Sequence, residues 1–363
     1  MSRSNGLMCS PMSVETHGNS SLKSIKWFFL GALLIFIFLL ELCLGSIMIP
    51  LKDIILSFVS PSEVDEKWRE IIFIFRLPRA ITAAFAGAAL GMAGLEMQTL
   101  FRNPLAGPYV LGINSGSSLG VAVLILTAWN FGLPAIFSKT GFLGNIAIVL
   151  ASITGAAVAF GIVIAFSRRV QQSVTLLIIG LMIGYISNAF VDVLLQFAAE
   201  HQMQRFITWT FGSFGGVTWL QLRVFIPVTL LGLLLAVLMM KPLNALLLGE
   251  EYARSMGVNV QRTRVIVISG SSLLAGAVTA FCGPVAFIGI AVPHFCRLIF
   301  RTSDHRVLVP GVLFVGAILA LAADFIAQVP GSRVVLPLNA VTSIIGAPVV
   351  IWVIMKRRQN LEV

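Results

Sequence analysis

Ten long apolar runs, separated by short polar or proline-containing stretches, constrain this chain more than any other feature of its sequence. Their approximate limits are 27–47, 80–101, 108–128, 144–166, 174–198, 224–240, 265–282, 284–300, 308–328 and 336–355. Runs of about 20 apolar residues are long enough to cross a bilayer as helices. A transmembrane β-barrel is disfavoured, because its strands alternate apolar and polar residues over about 10 positions. We therefore predict an all-α integral membrane protein with about ten transmembrane helices.

The composition points to the same class of protein. Of the 363 residues, 58% are hydrophobic and only 11% are charged. The net charge of +10 would suggest nucleic-acid binding in a soluble protein. In a membrane protein, Lys and Arg orient the loops instead. We therefore expect the chain to contact a lipid bilayer and no nucleic acid.

The distribution of basic residues predicts the orientation. An even number of spans places both termini on one side of the membrane, and that side then holds 16 of the 25 Lys and Arg residues. Because cytoplasmic loops carry the excess of Lys and Arg, we predict that both termini are cytoplasmic. Residues 1–24 are polar and are predicted to form a cytoplasmic tail. The transmembrane domain is then expected to occupy residues 25–363.

Glycines inside the apolar runs predict close helix packing. Gly87, Gly91 and Gly94 are spaced by three or four positions, which places them on one face of a helix. Small residues on such a face let neighbouring backbones approach closely. Tight bundle packing is the simpler interpretation, and faces that slide during transport are the alternative.

One charged stretch, LLLGEEYARSMGV at 246–258, interrupts the apolar sequence. The predicted orientation places it in the cytoplasm. Gly249 and Gly257 bracket a predicted short helix, with Gly257 suited to end it. Glu250 and Glu251 fall in its first turn, where the helix dipole favours them, and Arg254 is placed for an i,i+4 pair with Glu250. The stretch is interpreted either as a partner-docking surface or as a solvated loop.

Motifs for catalysis are absent from the sequence. It contains no Walker A motif, no HExxH and no GxSxG, and only four histidines. We therefore predict that the chain is not an enzyme, binds no metal or cofactor, and does not hydrolyse ATP itself. Energy for uphill transport would come from a partner or from an ion gradient. Ion coupling would need carboxylates inside the membrane, and the candidates are Glu41, Glu96, Asp192 and Asp324; buried hydrogen bonding or an interfacial position is the alternative for each.

Three blocks together carry a resemblance to a known family. They are RLPRAITAAFAGAALGMAGLEMQTLFRNPLAGPYVLGINSGSSLG at 76–120, LLLGEEYARSMGV at 246–258, and GPVAFIGIAVPHFCRLIFRTSDHRVLVPG at 283–311 followed by LPLNAVTSIIGAPVVIWVIMKRR at 336–358. In order and spacing they resemble the FecCD-type permeases of bacterial ABC importers, which handle iron–siderophore complexes, haem and cobalamin. The resemblance covers nearly all of the chain after the polar tail.

The resemblance implies a type II ABC importer permease bundle in the bacterial inner membrane. It implies a homodimer or close heterodimer, cytoplasmic ABC ATPase subunits that use the ATP, and an extracytoplasmic substrate-binding protein. The pathway is expected to run along the dimer axis. A ferric siderophore is the favoured cargo because it is the commonest in the family, with haem or cobalamin as alternatives. An ion-coupled secondary transporter is the alternative from a different class.

The resemblance also assigns candidate site residues. The ATPase-coupling loop matches about 242–262, with Gly249, Glu250, Glu251, Ala253, Arg254 and Gly257 as its candidates. Docking of the binding protein is assigned to Arg76 and Arg79 in the RLPR element and to Arg333; interfacial snorkelling of the arginines is the alternative. The translocation gate is assigned to Asn103 and Leu105 in RNPLAG and to Ser173, with a plain helix-breaking turn as the alternative at 103–105.

Overall fold

A computed structural model describes residues 18–45, 47–127, 141–167, 169–170, 173–331 and 334–359. Within these ranges the regular structure is helical, as predicted. In chain order the α-helices are α1 (Gly18–Cys43), α2 (Leu51–Val59), α3 (Glu66–Glu70), α4 (Leu77–Leu100), α5 (Ile113–Thr127), α6 (Gly141–Ser167), α7 (Ser173–Gln196), α8 (Glu200–Thr210), α9 (Trp219–Leu238), α10 (Met240–Leu247), α11 (Glu250–Ser255), α12 (Val260–Cys282), α13 (Ile288–Phe300), α14 (His305–Ala327) and α15 (Leu338–Gln359).

The predicted all-helical membrane architecture is confirmed. In the described part of the chain, seven helices are long and apolar enough to cross a membrane. Three shorter apolar helices, Ile113–Thr127, Ile288–Phe300 and Leu338–Ile351, accompany them. Each of the ten predicted runs therefore contains one of these helices.

Two of the shorter helices begin later than the apolar runs predicted. Residues 283–287 are not helical, and both Gly283 (φ +75°) and Phe287 (φ +65°) have left-handed backbone angles. Their backbone is held by a side chain from α15, because the Ala286 N–H donates to Asn339 Oδ1 at 2.9 Å. A short 3₁₀ helix, Pro108–Leu111, likewise precedes α5. Apolar composition locates such segments at membrane depth but does not distinguish helix from covered irregular backbone.

The first helix begins inside the predicted tail, although its candidate membrane span begins at Ser24. α1 begins at Gly18, so residues 18–24 lie in its first turns. The rest of the predicted tail, residues 1–17, lies outside the described residues.

α4 lies at the centre of the bundle and packs against α9, α12, α13 and α14. Its glycines explain how close these neighbours come. A Cβ on Gly87 would lie 2.1 Å from the carbonyl oxygen of Gly316 in α14, and one on Gly94 would lie 1.6 Å from that of Gly289 in α13. The hydrophobic effect does not drive helices together within a bilayer, so van der Waals packing of this kind holds them. The predicted small-residue packing of α4 is confirmed.

A second group of helices surrounds α5, which packs against α6 and α7. The end of the whole bundle that holds Arg79 is called the outer end below, and the end that holds Arg102 the cytoplasmic end, following the orientation predicted from Lys and Arg. α10 and α11 lie at the cytoplasmic end, between α9 and α12 in the chain.

Candidate functional site

Residues 249–258 form a short, capped helix at the cytoplasmic end. α11 begins after Gly249, whose φ of +125° is rarely adopted by residues with a side chain. At its other end, the Val258 N–H donates to Ala253 O at 3.0 Å and the Gly257 N–H to Arg254 O at 2.9 Å. With Gly257 at φ +82°, this is a Schellman motif, which satisfies the last carbonyls of a helix. The predicted helix between two glycines is confirmed.

Glu250 anchors α11 from behind. Its Oε1 accepts from Arg264 Nη2 at 3.0 Å, and the Arg264 side chain is only 3% exposed. A second nitrogen of Arg264 donates to Val170 O at 3.1 Å. This differs from the predicted Glu250–Arg254 pair, because a buried guanidinium needs a counter-charge more than an exposed one does. Arg254 Nη1 lies instead 3.8 Å from Glu251 Oε1.

The outward face of α11 is charged and partly apolar. The side chains of Glu251 and Arg254 are 94% and 55% exposed, and Tyr252 and Met256 are about half exposed. On the opposite side, Ala253 is fully buried against a hydrophobic cluster. The helix is therefore held on one side and offers charge and apolar surface on the other.

The turn that follows α4 is rigid and is braced by α13. Asn103 Oδ1 accepts from the Leu105 N–H at 2.9 Å, and Asn103 O accepts from the Ala106 N–H at 3.0 Å. The carbonyl oxygen of Pro104 lies 2.9 Å from Nε2 of His294 in α13. Two predicted gate residues, Asn103 and Leu105, therefore lie in a turn whose shape is set by its own hydrogen bonds.

The third predicted gate residue, Ser173, is the first residue of α7. Its side chain lies outside the described part of the structure. The assignment of Ser173 to a gate stays a prediction.

Arg102 connects the turn at 103–105 to the charged stretch. Its Nε and Nη2 donate to Leu246 O at 3.3 and 3.2 Å. A Cβ on Gly249 would lie 3.0 Å from Nη2 of Arg102. Sequence reasoning did not single out Arg102, because its partner is 144 positions away along the chain.

A polar network that the sequence did not indicate supports α10. Asn244 Nδ2 donates to Asp304 Oδ1 at 2.7 Å, and the His305 N–H donates to Asn244 Oδ1 at 2.9 Å. Thr99 Oγ1 in α4 lies 2.9 Å from Nε2 of His305. The backbone N–H of Arg306 and the Asn244 amide hold the pKa of the Asp304 carboxyl below its usual value. The network fixes α10 to the ends of α4 and α14.

At the outer end, Arg79 forms an ion pair inside the bundle. Its Nε and Nη2 donate to the two carboxylate oxygens of Asp324 at 2.7 and 2.9 Å. Glu41 Oε1 lies 3.9 Å from Arg79 Nε and accepts a hydrogen bond from the amide of Gln328. The cluster joins α1, α4 and α14.

Arg76 is also used within the chain. It is 9% exposed, and its guanidinium donates to the carbonyl oxygens of Leu42 and Ile47. Binding-protein docking by Arg76 and Arg79 stays a prediction, although both side chains have partners that explain their positions. Arg333, the third predicted docking residue, lies outside the described residues.

The candidate intramembrane carboxylates have different surroundings. Glu96 is buried, and its Oε2 accepts from Ser271 Oγ at 2.5 Å. Glu41 and Asp324 belong to the cluster around Arg79. Only Asp192, among the four candidates, is exposed in the single chain.

Asp192 belongs to a polar stripe on α7. Tyr185, Asn188, Asp192 and Gln196 are all exposed, and their spacings of three and four residues place them on one helix face. Polar groups that face hydrocarbon are costly, so such a face normally meets water or protein. The sequence prediction named only Asp192, although the spacing of all four is visible in the sequence.

The chain matches the FecCD transport family over residues 33–356. A vitamin B12 import system permease protein, BtuC, from Klebsiella pneumoniae subsp. pneumoniae is 36% identical over 345 residues, which are 93% of this chain and 95% of that protein. BtuC from Shigella boydii serotype 18 is 34% identical over 341 residues, with 93% and 97% covered.

A solved structure has the same fold. It is an inward-facing conformation of an ABC transporter assigned to the metal-chelate type, with a TM-score of 0.78 and 27% identity. The match covers 92% of this chain and 99% of that one. The protein is therefore a member of the FecCD transport family and a multi-pass permease subunit of an ABC importer.

Proposed function

We propose that the protein forms the membrane channel of an inner-membrane importer for a large metal chelate, and that α11 receives the ATPase subunit. The carrying observation is the construction of α11. Its inner side is fixed by the Glu250–Arg264 pair and by buried Ala253, whereas Glu251 and Arg254 project outward. A rigid element with exposed charge suits docking on another protein, because little ordering of the chain is needed on binding.

Within α11 the residues divide into two roles. Glu250 holds the helix in place, and Gly249 and Gly257 set its two ends. Glu251 and Arg254 contact the ATPase subunit. This division rests on a difference between the two glutamates. Glu250 pairs with buried Arg264, whereas the Glu251 side chain is 94% exposed.

The translocation path is proposed to lie between two copies, or between this chain and a close relative. The polar stripe on α7 supports this arrangement, because in a single chain it would face lipid. The polar stripe occupies the half of α7 toward Gln196, whereas residues 176–184 are apolar. Water would enter the path from the outer end, and Asn103, Leu105 and Ser173 would close it near the cytoplasmic end.

Cobalamin is the first candidate for the cargo. Permeases named for vitamin B12 import are 33–36% identical to this chain over more than nine-tenths of its length. A ferric siderophore is the second candidate, supported by the metal-chelate assignment of the structural relative. Haem is a further possibility within the same family resemblance.

Uptake into proteoliposomes tests the proposal. The chain is reconstituted with its ATPase subunit and binding protein, and radiolabelled cyanocobalamin and a ferric hydroxamate siderophore are offered in separate reactions. Uptake of either that requires ATP and persists without an ion gradient supports an ABC importer, and the preferred compound identifies the cargo. Uptake that follows a proton gradient and ignores ATP would support the ion-coupled alternative instead.

A further inference from the structure

The end of α4 contains an unusual backbone position. The Asn103 N–H donates to Gln98 O at 3.2 Å and the Arg102 N–H to Thr99 O at 3.3 Å. These two bonds form a Schellman motif, whose left-handed position is normally occupied by glycine. Here Arg102 occupies it, with φ +49°. A side chain in this conformation is a source of strain that is often associated with function.

The Arg102 side chain has a specific target. Both of its hydrogen bonds go to the carbonyl of Leu246, in the last turn of α10. The Gly249 N–H donates to the same carbonyl at 3.2 Å. A Cβ on Gly249 would lie only 3.0 Å from Nη2 of Arg102. The guanidinium therefore lies against the joint between α10 and α11, where a cation also suits the C-terminal end of a helix.

The backbone of Arg102 leads directly into the turn at 103–105. That turn is stiff, because Asn103 accepts hydrogen bonds from Leu105 and Ala106. A displacement of Arg102 is therefore passed to the turn as a whole. The strained residue touches the joint with its side chain and the turn with its backbone.

Space is available for such a displacement. A cavity of about 590 Å³ lies beside the two segments and is lined by Arg102, Pro104, Leu247, Leu248 and Arg297, among others. Close-packed interiors resist displacement, so this open volume leaves room for the joint and the turn to shift together against the contact between His294 and the Pro104 carbonyl. Leu248 is 65% exposed, so the described part of the chain does not cover the joint at this residue.

We propose that Arg102 is a positioning residue that links the α10–α11 joint to the turn at 103–105, so that movement of α11 by the ATPase subunit changes the position of that turn. The inference rests on the proposed role of α11 and adds the connection through which that role reaches the pathway. It needs no contact between Arg102 and the cargo.

The Arg102→Gly variant tests the link because its expected effects on stability and on transport coupling differ in direction. Glycine relieves the strain at φ +49°, so the thermal unfolding temperature is expected to stay the same or rise. Loss of the side chain is expected to lower the number of cargo molecules imported per ATP hydrolysed by about threefold or more. A residue with a purely structural role would lower stability and leave that ratio unchanged.

Arg301→Gly is the matched control. Arg301 also ends a helix with left-handed backbone (φ +51°), and no hydrogen bond from its side chain occurs among the described residues. The same relief of strain is expected there, with an unchanged import-to-ATP ratio. A fall of the import-to-ATP ratio in both variants would overturn the proposal. The fall would then be caused by a glycine at the end of a helix, and not by loss of the Arg102 side chain.

The outcomes also separate the inference from the proposed function. Cyanocobalamin and the ferric siderophore serve as cargo, and wild-type protein is measured first. Failure of the wild type to retain the ATPase subunit or to import either compound with ATP would count against the proposed function. Wild-type import with an unchanged ratio in Arg102→Gly would overturn the link alone.

Discussion

The guanidinium of Arg79 and the carboxylate of Asp324 face each other in a two-point ion pair, with nitrogen–oxygen distances of 2.7 and 2.9 Å. The pair joins α4 to α14 at the outer end, and the Asp324 side chain is only 2% exposed. Two parallel N–H···O bonds fix the relative orientation of the helices as well as their distance. Glu41 and Gln328 extend the cluster to α1.

Removal of one partner is expected to destabilise the bundle. Asp324→Ala removes the two-point partner of Arg79 and leaves only the more distant Glu41 carboxylate beside the guanidinium. Breaking a buried ion pair in this way costs about 3–5 kcal/mol. Unfolding of the detergent-purified protein, followed by circular dichroism, measures the change. Arg69→Ala is the control, because Arg69 lies 3.8 Å from Glu66 in an exposed pair, and its loss is expected to cost less than about 0.5 kcal/mol. Equal effects of the two substitutions would contradict the structural importance of the inner pair.

The adjacent glutamates of α11 are expected to respond differently. Glu250→Gln removes the charge opposite buried Arg264, so the variant is expected to lose stability and, with it, part of its ATPase retention. Glu251→Arg reverses a charge on a side chain that is 94% exposed. The variant is expected to keep its unfolding temperature. It is also expected to lose ATPase binding, because the reversed charge would repel the group of the ATPase subunit that Glu251 attracts.

Pull-down of the ATPase subunit and thermal unfolding, measured on the same preparations, separate these two effects. Lys241→Glu serves as a control for a charge change at an exposed position outside α11. If Glu251→Arg retained the ATPase as well as wild type, the outward face of α11 would not be the docking surface.

The sequence predicted the helices well because their signal is local. Each apolar run contains the information that it belongs in a membrane, and one helix was found in each. The gap between the runs 265–282 and 284–300 predicted a break at Gly283. The extension of this break to Phe287 was not predicted, since Val285, Ala286 and Phe287 are suited equally to a helix. The conformation of this segment depends on Asn339, which is contributed by a helix 53 positions later.

The site was predicted less completely because its contacts are distant in sequence. The glycines around α11 indicated a short helix, but the partner of Glu250 is Arg264, which lies beyond that helix. Arg79 was identified as a candidate for an exposed role, yet its partner Asp324 is 245 positions away. Charged residues are recognisable from sequence, whereas their pairing is decided by the packing of helices around α4.

Gly257 is expected to be sensitive to substitution for conformational reasons alone. Its φ is +82°, and no atom lies within 4 Å of the position that a Cβ would occupy. Gly257→Ala is therefore expected to cost about 1 kcal/mol through backbone strain, without a steric clash. Gly31→Ala is the control, since Gly31 also has open space around it but lies within α1. There, alanine is expected to be neutral or slightly stabilising. Thermal unfolding distinguishes the two; similar results for both would show that the left-handed backbone at Gly257 is not required.

The polar stripe on α7 is expected to be in contact with water in the assembled transporter. Asn188→Cys places a thiol on the stripe, whereas Ile186→Cys places one on a different face of the same helix that is also exposed in the single chain. A charged, membrane-impermeant thiol reagent reacts where water reaches and is excluded from hydrocarbon. It is therefore expected to label Asn188→Cys in proteoliposomes and to leave Ile186→Cys unmodified. Mass spectrometry measures the labelling of both variants, which are made in a protein from which the native cysteines have been removed. Labelling of the Ile186 position alone, or of neither position, would place the path on a different surface of the protein.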